Sequence, residues 1–89
     1  MKTAIVTGAS SGIGFEISKM LLSMGYKVYG FGRDFSKVDF YDSNFVQEVC
    51  DITEVNAFVK IIDKIKKENQ VCLLVNNAGV GYFGPHEEL

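Results

Sequence analysis

The sequence predicts an α/β domain built on a parallel sheet. Short apolar, β-rich runs alternate with segments of helical spacing, the pattern of strands joined by right-handed crossovers. A glycine-rich turn, Gly8–Gly14, stands directly between the first run and the first helical segment. No internal repeat, low-complexity segment or linker divides the 89 residues, which suffice for one small domain.

The elements follow in order. Lys2–Thr7 (KTAIVT) is apolar and β-rich and stops at Gly8, which suits a buried parallel strand. Gly8–Gly14 (GASSGIG) is a turn. Ile13, Ile17, Met20, Leu21 and Met24 then share one helical face, and Gly25 ends it. Lys27–Gly32 (KVYGFG) reads as the second strand. Arg33–Ser43 is polar and mixed, with aromatics but no period; it reads as a loop where a full helix is common, so the connection looks trimmed. Phe45–Val49 is the third strand. Thr53 is placed as the N-cap of a helix whose apolar face is Val55, Phe58, Val59, Ile62 and Ile65. Lys60, Lys64, Lys66 and Lys67 cover its other side and read as a solvated face with cations near the helix end. Val71–Val75 (VCLLV) is a fourth buried strand, ending at Asn76-Asn77-Ala78-Gly79. Val80–Leu89 reads as loop with a helix start at Pro85.

Composition narrows the function classes. Hydrophobic residues make up 47% and charged residues 22%, so the chain can build a core. The net charge of −2 argues against nucleic acid or an anionic membrane as partner, since both need a basic face. No apolar run approaches the ~18 residues of a membrane span. The apolar start is too short for a signal peptide, and a cytoplasmic location is the expectation. Cys50 and Cys72 lack the spacing of a zinc or redox motif and read as reduced, packed thiols.

The chemistry lies in the glycine turn. A helix N-terminus carries unpaired N–H groups and a partial positive charge. A phosphate placed there is held without a lysine. Glycines let the backbone turn tightly and approach the anion. Gly8, Gly12 and Gly14 give the spacing G-x-x-x-G-x-G, which departs from the common dinucleotide fingerprint G-x-G-x-x-G. It is no Walker loop either, because no Lys-Ser/Thr follows the last glycine.

Thr7-Gly8-Ala9-Ser10-Ser11-Gly12-Ile13-Gly14 resembles the cofactor loop of the short-chain dehydrogenase/reductase family. Asn76-Asn77-Ala78-Gly79 resembles that family's second signature, and Asp51 matches its adenine-contacting acid. The resemblance covers essentially the whole chain. It implies a Rossmann-type parallel sheet, partial, of about four strands in the order 3-2-1-4, with helices on its faces. Residues 1–89 would be the N-terminal part of a single NAD(P)-binding domain, truncated. It further implies that the backbone around Ser10, Ser11, Gly12 and Ile13 holds the pyrophosphate, with help from both serine hydroxyls. Asp51 would accept from the adenine amino group with the Ile52 backbone nearby. Asn77, Ala78 and Gly79 would flank the ribose beside the nicotinamide. For the complete enzyme it implies hydride transfer between the cofactor and a small-molecule carbonyl or alcohol, and a homo-oligomer.

The residue after the second strand reads the adenosine ribose: an acid accepts from the 2′-OH of NAD, an arginine binds the 2′-phosphate of NADP. Gly32 stands where NAD-preferring relatives carry an acid, and Arg33 where NADP-preferring ones carry a base. Asp34, 20 residues after Gly14, fits the generic ribose-acid spacing but also fits a turn cap. The position before Gly12, often basic in NADP enzymes of the family, is Ser11. The balance favours NADP, with NAD as the alternative.

The family's Ser, Tyr and Lys catalytic set is absent. Tyr26, Tyr29, Tyr41 and Tyr82 are followed four residues on by Gly30, Arg33, Phe45 and His86, so no Tyr-x-x-x-Lys occurs. Tyr82 and His86 are not substitutes, and the loop Tyr82-Phe83-Gly84 packs as readily as it lines a pocket. The isolated chain is expected to be inactive, as the first part of a longer enzyme. The alternatives are a non-catalytic dinucleotide-binding or sensing module, and a misfolded fragment that binds nothing. In the order 3-2-1-4 the fourth strand has an open edge. The third and fourth strands would lie roughly 14 Å apart, too far for a Cys50–Cys72 disulfide.

Overall fold

The computed structural model describes residues 1–77; Ala78 and Gly79, the loop 80–89 and its expected helix start lie outside the described residues. The element order is β1 (Thr3–Thr7), α1 (Gly12–Ser23), β2 (Lys27–Gly32), β3 (Phe45–Val49), α2 (Val55–Glu68) and β4 (Val71–Val75). All strand pairs are parallel, in the order β3-β2-β1-β4. The fold class and strand order are those the sequence predicts.

β1 is buried along its whole length because strands flank it on both sides and a helix covers each face. On one face α1 packs over Ala4, Val6, Val28 and Phe45. On the other, Phe58, Ile61, Ile62 and Ile65 of α2 cover Ile5, Tyr29 and Phe31. β4 pairs with β1 through a register shift between Thr3 and Ala4. One extra residue there sends Val71 to the α2 side and Leu73 and Val75 to the α1 side.

Four expectations need correction. The buried face of α1 is Gly14, Ser18 and Leu21, with Phe15, Ile17 and Leu22 beside it. Ile13, Met20 and Met24 are exposed. This helix approaches the sheet so closely that only small residues fit at its first turns, and Ser18 there donates its hydroxyl to the Gly14 carbonyl at 2.9 Å. Second, α2 turns Ile61 inward while Val55 and Val59 remain exposed. Third, Thr53 does not cap α2. The helix begins at Val55 after Glu54, and Thr53 turns back to Asp51. Fourth, β4 is half-exposed, with Cys72 and Leu74 open, because it is an edge strand. Both cysteines are free, but only Cys50 is partly packed.

The β2–β3 connection contains no helix. Phe35 and Phe40 fold back from it onto Phe45 at 6.3 and 6.1 Å, and Phe40 meets Phe15 of α1 edge-on at 5.7 Å. This aromatic cluster fills the space a crossover helix would cover.

Candidate functional site

The site forms where β1, β2 and β3 end together. Gly8, with φ at 64°, turns the chain out of β1, and Gly12, at 58°, turns it into α1. Both conformations suit glycine because a Cβ there crowds the following carbonyl. Ser11 is the N-cap in extended conformation, yet its side chain makes no capping hydrogen bond. No acidic residue occupies the first turn of α1. The helix N-terminus therefore presents its N–H groups and its positive dipole end to any anion set before it.

The loop is held from three sides. The Ala9 N–H donates to the Phe31 carbonyl at 2.9 Å, tying the loop to β2. The Asn77 N–H donates to Thr7 Oγ1 at 2.9 Å, tying the end of β1 to the segment after β4. The Thr7 hydroxyl also lies within reach of Asn76 Oδ1 (3.1 Å) and the Val75 carbonyl (3.4 Å). Beneath the loop, a Cβ added at Gly14 would collide with the Gly8 carbonyl and stand 2.8 Å from Asn77 Nδ2.

β2 is the floor. Ala9 and Ser10 cross its surface above Gly30 and Gly32: a Cβ at Gly30 would lie 2.8 Å from Ala9 Cβ, and one at Gly32 2.9 Å from Ser10 Cβ. On the far side, the Cys50 N–H donates to the Gly32 carbonyl at 2.9 Å, bringing the end of β3 alongside.

These elements enclose a cleft of about 250 Å³ lined by Gly8, Ser10, Ser11, Phe31, Gly32, Arg33, Cys50, Asp51 and Ile52. That is below the roughly 300–1,000 Å³ of a pocket that takes a whole ligand. Arg33 forms no hydrogen bond or salt bridge among the described residues. Asp51 Oδ1 accepts from the Thr53 hydroxyl (2.7 Å) and N–H (3.0 Å). Those bonds, the hydroxyl's first, hold its carboxyl below the usual carboxylate range, with the Arg33 charge a smaller contribution. Oδ2 takes no hydrogen bond among the described residues. Asp34 is outside the cleft: its Oδ1 accepts the Ser36 N–H at 2.8 Å, the main cause of its lowered pKa. Burial, then the negative charges of Asp51, Glu48 and Glu54, push the Cys50 thiol up.

Of the sequence-predicted residues, Gly8, Ser10, Ser11, Arg33, Asp51 and Ile52 come together in this cleft. Gly14 and Asn77 support the loop from behind. Gly12 and Ile13 instead line a shallow apolar groove of about 430 Å³ with Glu16, Ile17 and Met20 on the outer side of α1. Ala78 and Gly79 lie outside the described residues. Sequence reasoning missed Gly30, Phe31, Gly32 as floor, and Cys50. The signal for the floor was legible: two glycines at alternate positions of one strand mark a close approach of another segment.

The short chain dehydrogenase family matches residues 2–89 of the chain. A probable short-chain type dehydrogenase/reductase from Helicobacter pylori is 39% identical over 96% of this chain and 32% of its own length. An NADPH-dependent 3-dehydrocapnine reductase from Ornithobacterium rhinotracheale is 37% identical over 96% and 32%. Among solved structures, a short chain dehydrogenase from Leptospira borgpetersenii with bound NAD+ superposes with a TM-score of 0.78 at 28% identity, over 99% of this chain and 35% of that one. A variant of ElxO with NADPH bound does so at 0.77 and 30% identity, over 91% and 36%. The chain thus spans about a third of the length of the relatives it matches.

Proposed function

Because this chain belongs to the short-chain dehydrogenase family, we propose that its cleft binds the adenosine and pyrophosphate end of NADP(H). In the complete enzyme the cofactor would exchange hydride with a small-molecule carbonyl or alcohol. The observation that carries the reading is the convergence of the Ser10–Ser11 turn that leads into α1 with Arg33 and Asp51 in one cleft. The relatives include an NADPH-dependent enzyme and structures with either cofactor. The choice of NADP therefore rests on this chain's own residues. Arg33 lines the cleft and is unpaired among the described residues, and its planar fork suits a phosphate. Asp34, the competing acid, is committed to Ser36.

The residues divide the work without proton transfer. The backbone N–H groups at the start of α1, with the Ser10 and Ser11 hydroxyls, neutralise the pyrophosphate. Asp51 Oδ2 accepts from the adenine amino group while Thr53 holds Oδ1. Asn77 sets the ribose side beyond β4. When bound, the nicotinamide supplies the hydride, and no described residue acts as acid or base on substrate. The isolated 89 residues are accordingly proposed to bind without turning over.

Arg33→Ala tests the reading. NADPH binding should fall by about 1.5–3 kcal/mol, the range for charged hydrogen bonds, which is roughly 10- to 150-fold. NADH binding should stay nearly unchanged; equal losses for both would refute the NADP assignment. A second reading is a non-catalytic dinucleotide-binding module. A Ser and a Tyr-x-x-x-Lys encoded downstream would decide against it. Homo-oligomerisation and a cytoplasmic location are further proposals, open to sedimentation and fractionation.

A further inference from the structure

We propose that the outer face of α1 is a dimerisation surface, on which a second copy of this chain lays the same helix antiparallel. The inference gives the homo-oligomer proposed above an interface and does not depend on what the cleft binds. Three large apolar side chains stand open on that face: Ile13 is 70% exposed, Met20 54% and Met24 63%. With Ile17, which lines the groove between them, they recur at spacings of four, three and four residues. At 3.6 residues per turn the four positions fall within about 60° of one another. That is the narrow seam that pairs one helix with another, not the broad apolar face that meets a sheet. The sheet side of α1 is formed instead by Gly14, Ser18 and Leu21, so the fold itself makes no use of the seam.

The seam's symmetry names its occupant. The spacing reads the same in both directions, so an antiparallel copy sets Ile13 against the copy's Met24 and Ile17 against the copy's Met20. A two-fold interface requires this self-complementarity. Charge selects the same arrangement. Glu16 and Lys19 form an ion pair at 3.2 Å on one flank of the seam. In the antiparallel register each lies about 3 Å along the axis from its opposite charge on the copy, at 1.5 Å rise per residue. A parallel copy would oppose Glu16 to Glu16 and set the two helix dipoles side by side in the same sense. The first turn of α1 carries no acid and the last turn no base, so neither end resists the antiparallel match. The area sets the strength. The seam is about 17 Å of a helix roughly 10 Å across, well under the roughly 800 Å² per partner of a standard interface. The dimer is therefore weak, with a dissociation constant on the order of 0.1 mM.

Sedimentation equilibrium of the full chain, from about 10 μM to about 1 mM, tests the seam. The mean mass should rise towards that of a dimer across the range. Met20→Lys should weaken dimerisation by about 10-fold or more. Because the site is exposed, the unfolding midpoint of the dilute variant should stay within about 4 °C of wild type. Ile13→Cys chains mixed with Met24→Cys chains should form a disulfide between positions 13 and 24 on mild oxidation, and neither variant alone should link through its new thiol. Mass spectrometry separates these links from any at Cys50 or Cys72. Peroxide oxidation of Met20 and Met24 should slow only at concentrations that dimerise. A dimer indifferent to Met20→Lys, or one linked 24 to 24, would overturn the seam and leave a homo-oligomer built on another surface. Methionines protected at every concentration would mean that another part of the same chain covers the seam, which would overturn it as well. A monomer throughout would refute the seam and the homo-oligomerisation of this chain together.

Discussion

Gly14→Ala sets two effects of known sign against each other. In a helix interior alanine is better than glycine by about 1 kcal/mol, so propensity alone predicts a more stable protein. The packing predicts the reverse. The added methyl would overlap the carbonyl oxygen of Gly8, with the carbonyl carbon at 2.7 Å and Asn77 Nδ2 at 2.8 Å. Backbone atoms cannot rotate aside as a side-chain end can, and Gly8 is itself fixed at positive φ. The overpacking cost should reach the upper part of the usual range, about 3 kcal/mol. Subtracting the propensity gain leaves roughly 2 kcal/mol of destabilisation, or a midpoint about 8–16 °C lower for a domain of this size. Thermal unfolding followed by circular dichroism measures it. Gly12 supplies the control, because a Cβ there meets nothing within 4 Å and its constraint is φ alone. Asparagine tolerates that conformation, so Gly12→Asn should be milder than Gly12→Ala, whereas Gly14→Asn should be no milder than Gly14→Ala. A Gly14→Ala protein as stable as wild type would refute the close approach of α1 to the end of β1.

Two further outcomes follow from the packing and the charges. Phe45→Ala should cost about 3–5 kcal/mol, because Phe45 is buried and joins Phe15, Phe35 and Phe40; urea titration would show it, and a loss below about 1 kcal/mol would mean the β2–β3 loop is not anchored there. The folded carboxyls of Asp51 and Asp34 titrate below the ordinary 3.8. Their stabilising bonds are fully present above the unfolded value and are lost as pH falls through the lower folded value. The Thr53 and Ser36 amide resonances should therefore shift with midpoints below 3.8, and a midpoint at or above it would contradict the two turns.

Strand positions and the glycine turn were legible in the sequence because each rests on local chemistry: β-rich runs bounded by glycine, and glycines where φ turns positive. The helix faces were not. α1 carries apolar residues nearly all round, from Ile13 through Phe15, Ile17, Met20, Leu21 and Leu22 to Met24. A 3.6-residue period then fits more than one face. The side against the sheet was marked instead by the smallness of Gly14 and Ser18. Thr53 failed as a cap for a related reason. The Asp51 carboxylate is a stronger acceptor than a carbonyl for the Thr53 N–H and hydroxyl, and that local turn won. The cleft's floor depended on Ser10 meeting Gly32 across the sheet, a contact that no local window contains.

The hydrogen bond from Asn77 to Thr7 joins residues 70 apart in the chain. β1 comes first among the described strands, yet it lies inside the sheet, between β2 and the strand that comes last among them. A ribosome adding about 5–20 residues per second would need roughly 4–14 s to travel from one partner to the other. Once β2 is made the glycine loop has a strand beneath it, while its tie to the segment after β4 is still to come. The nascent chain should hence acquire the geometry of this loop in two stages, and the second waits on the arrival of β4.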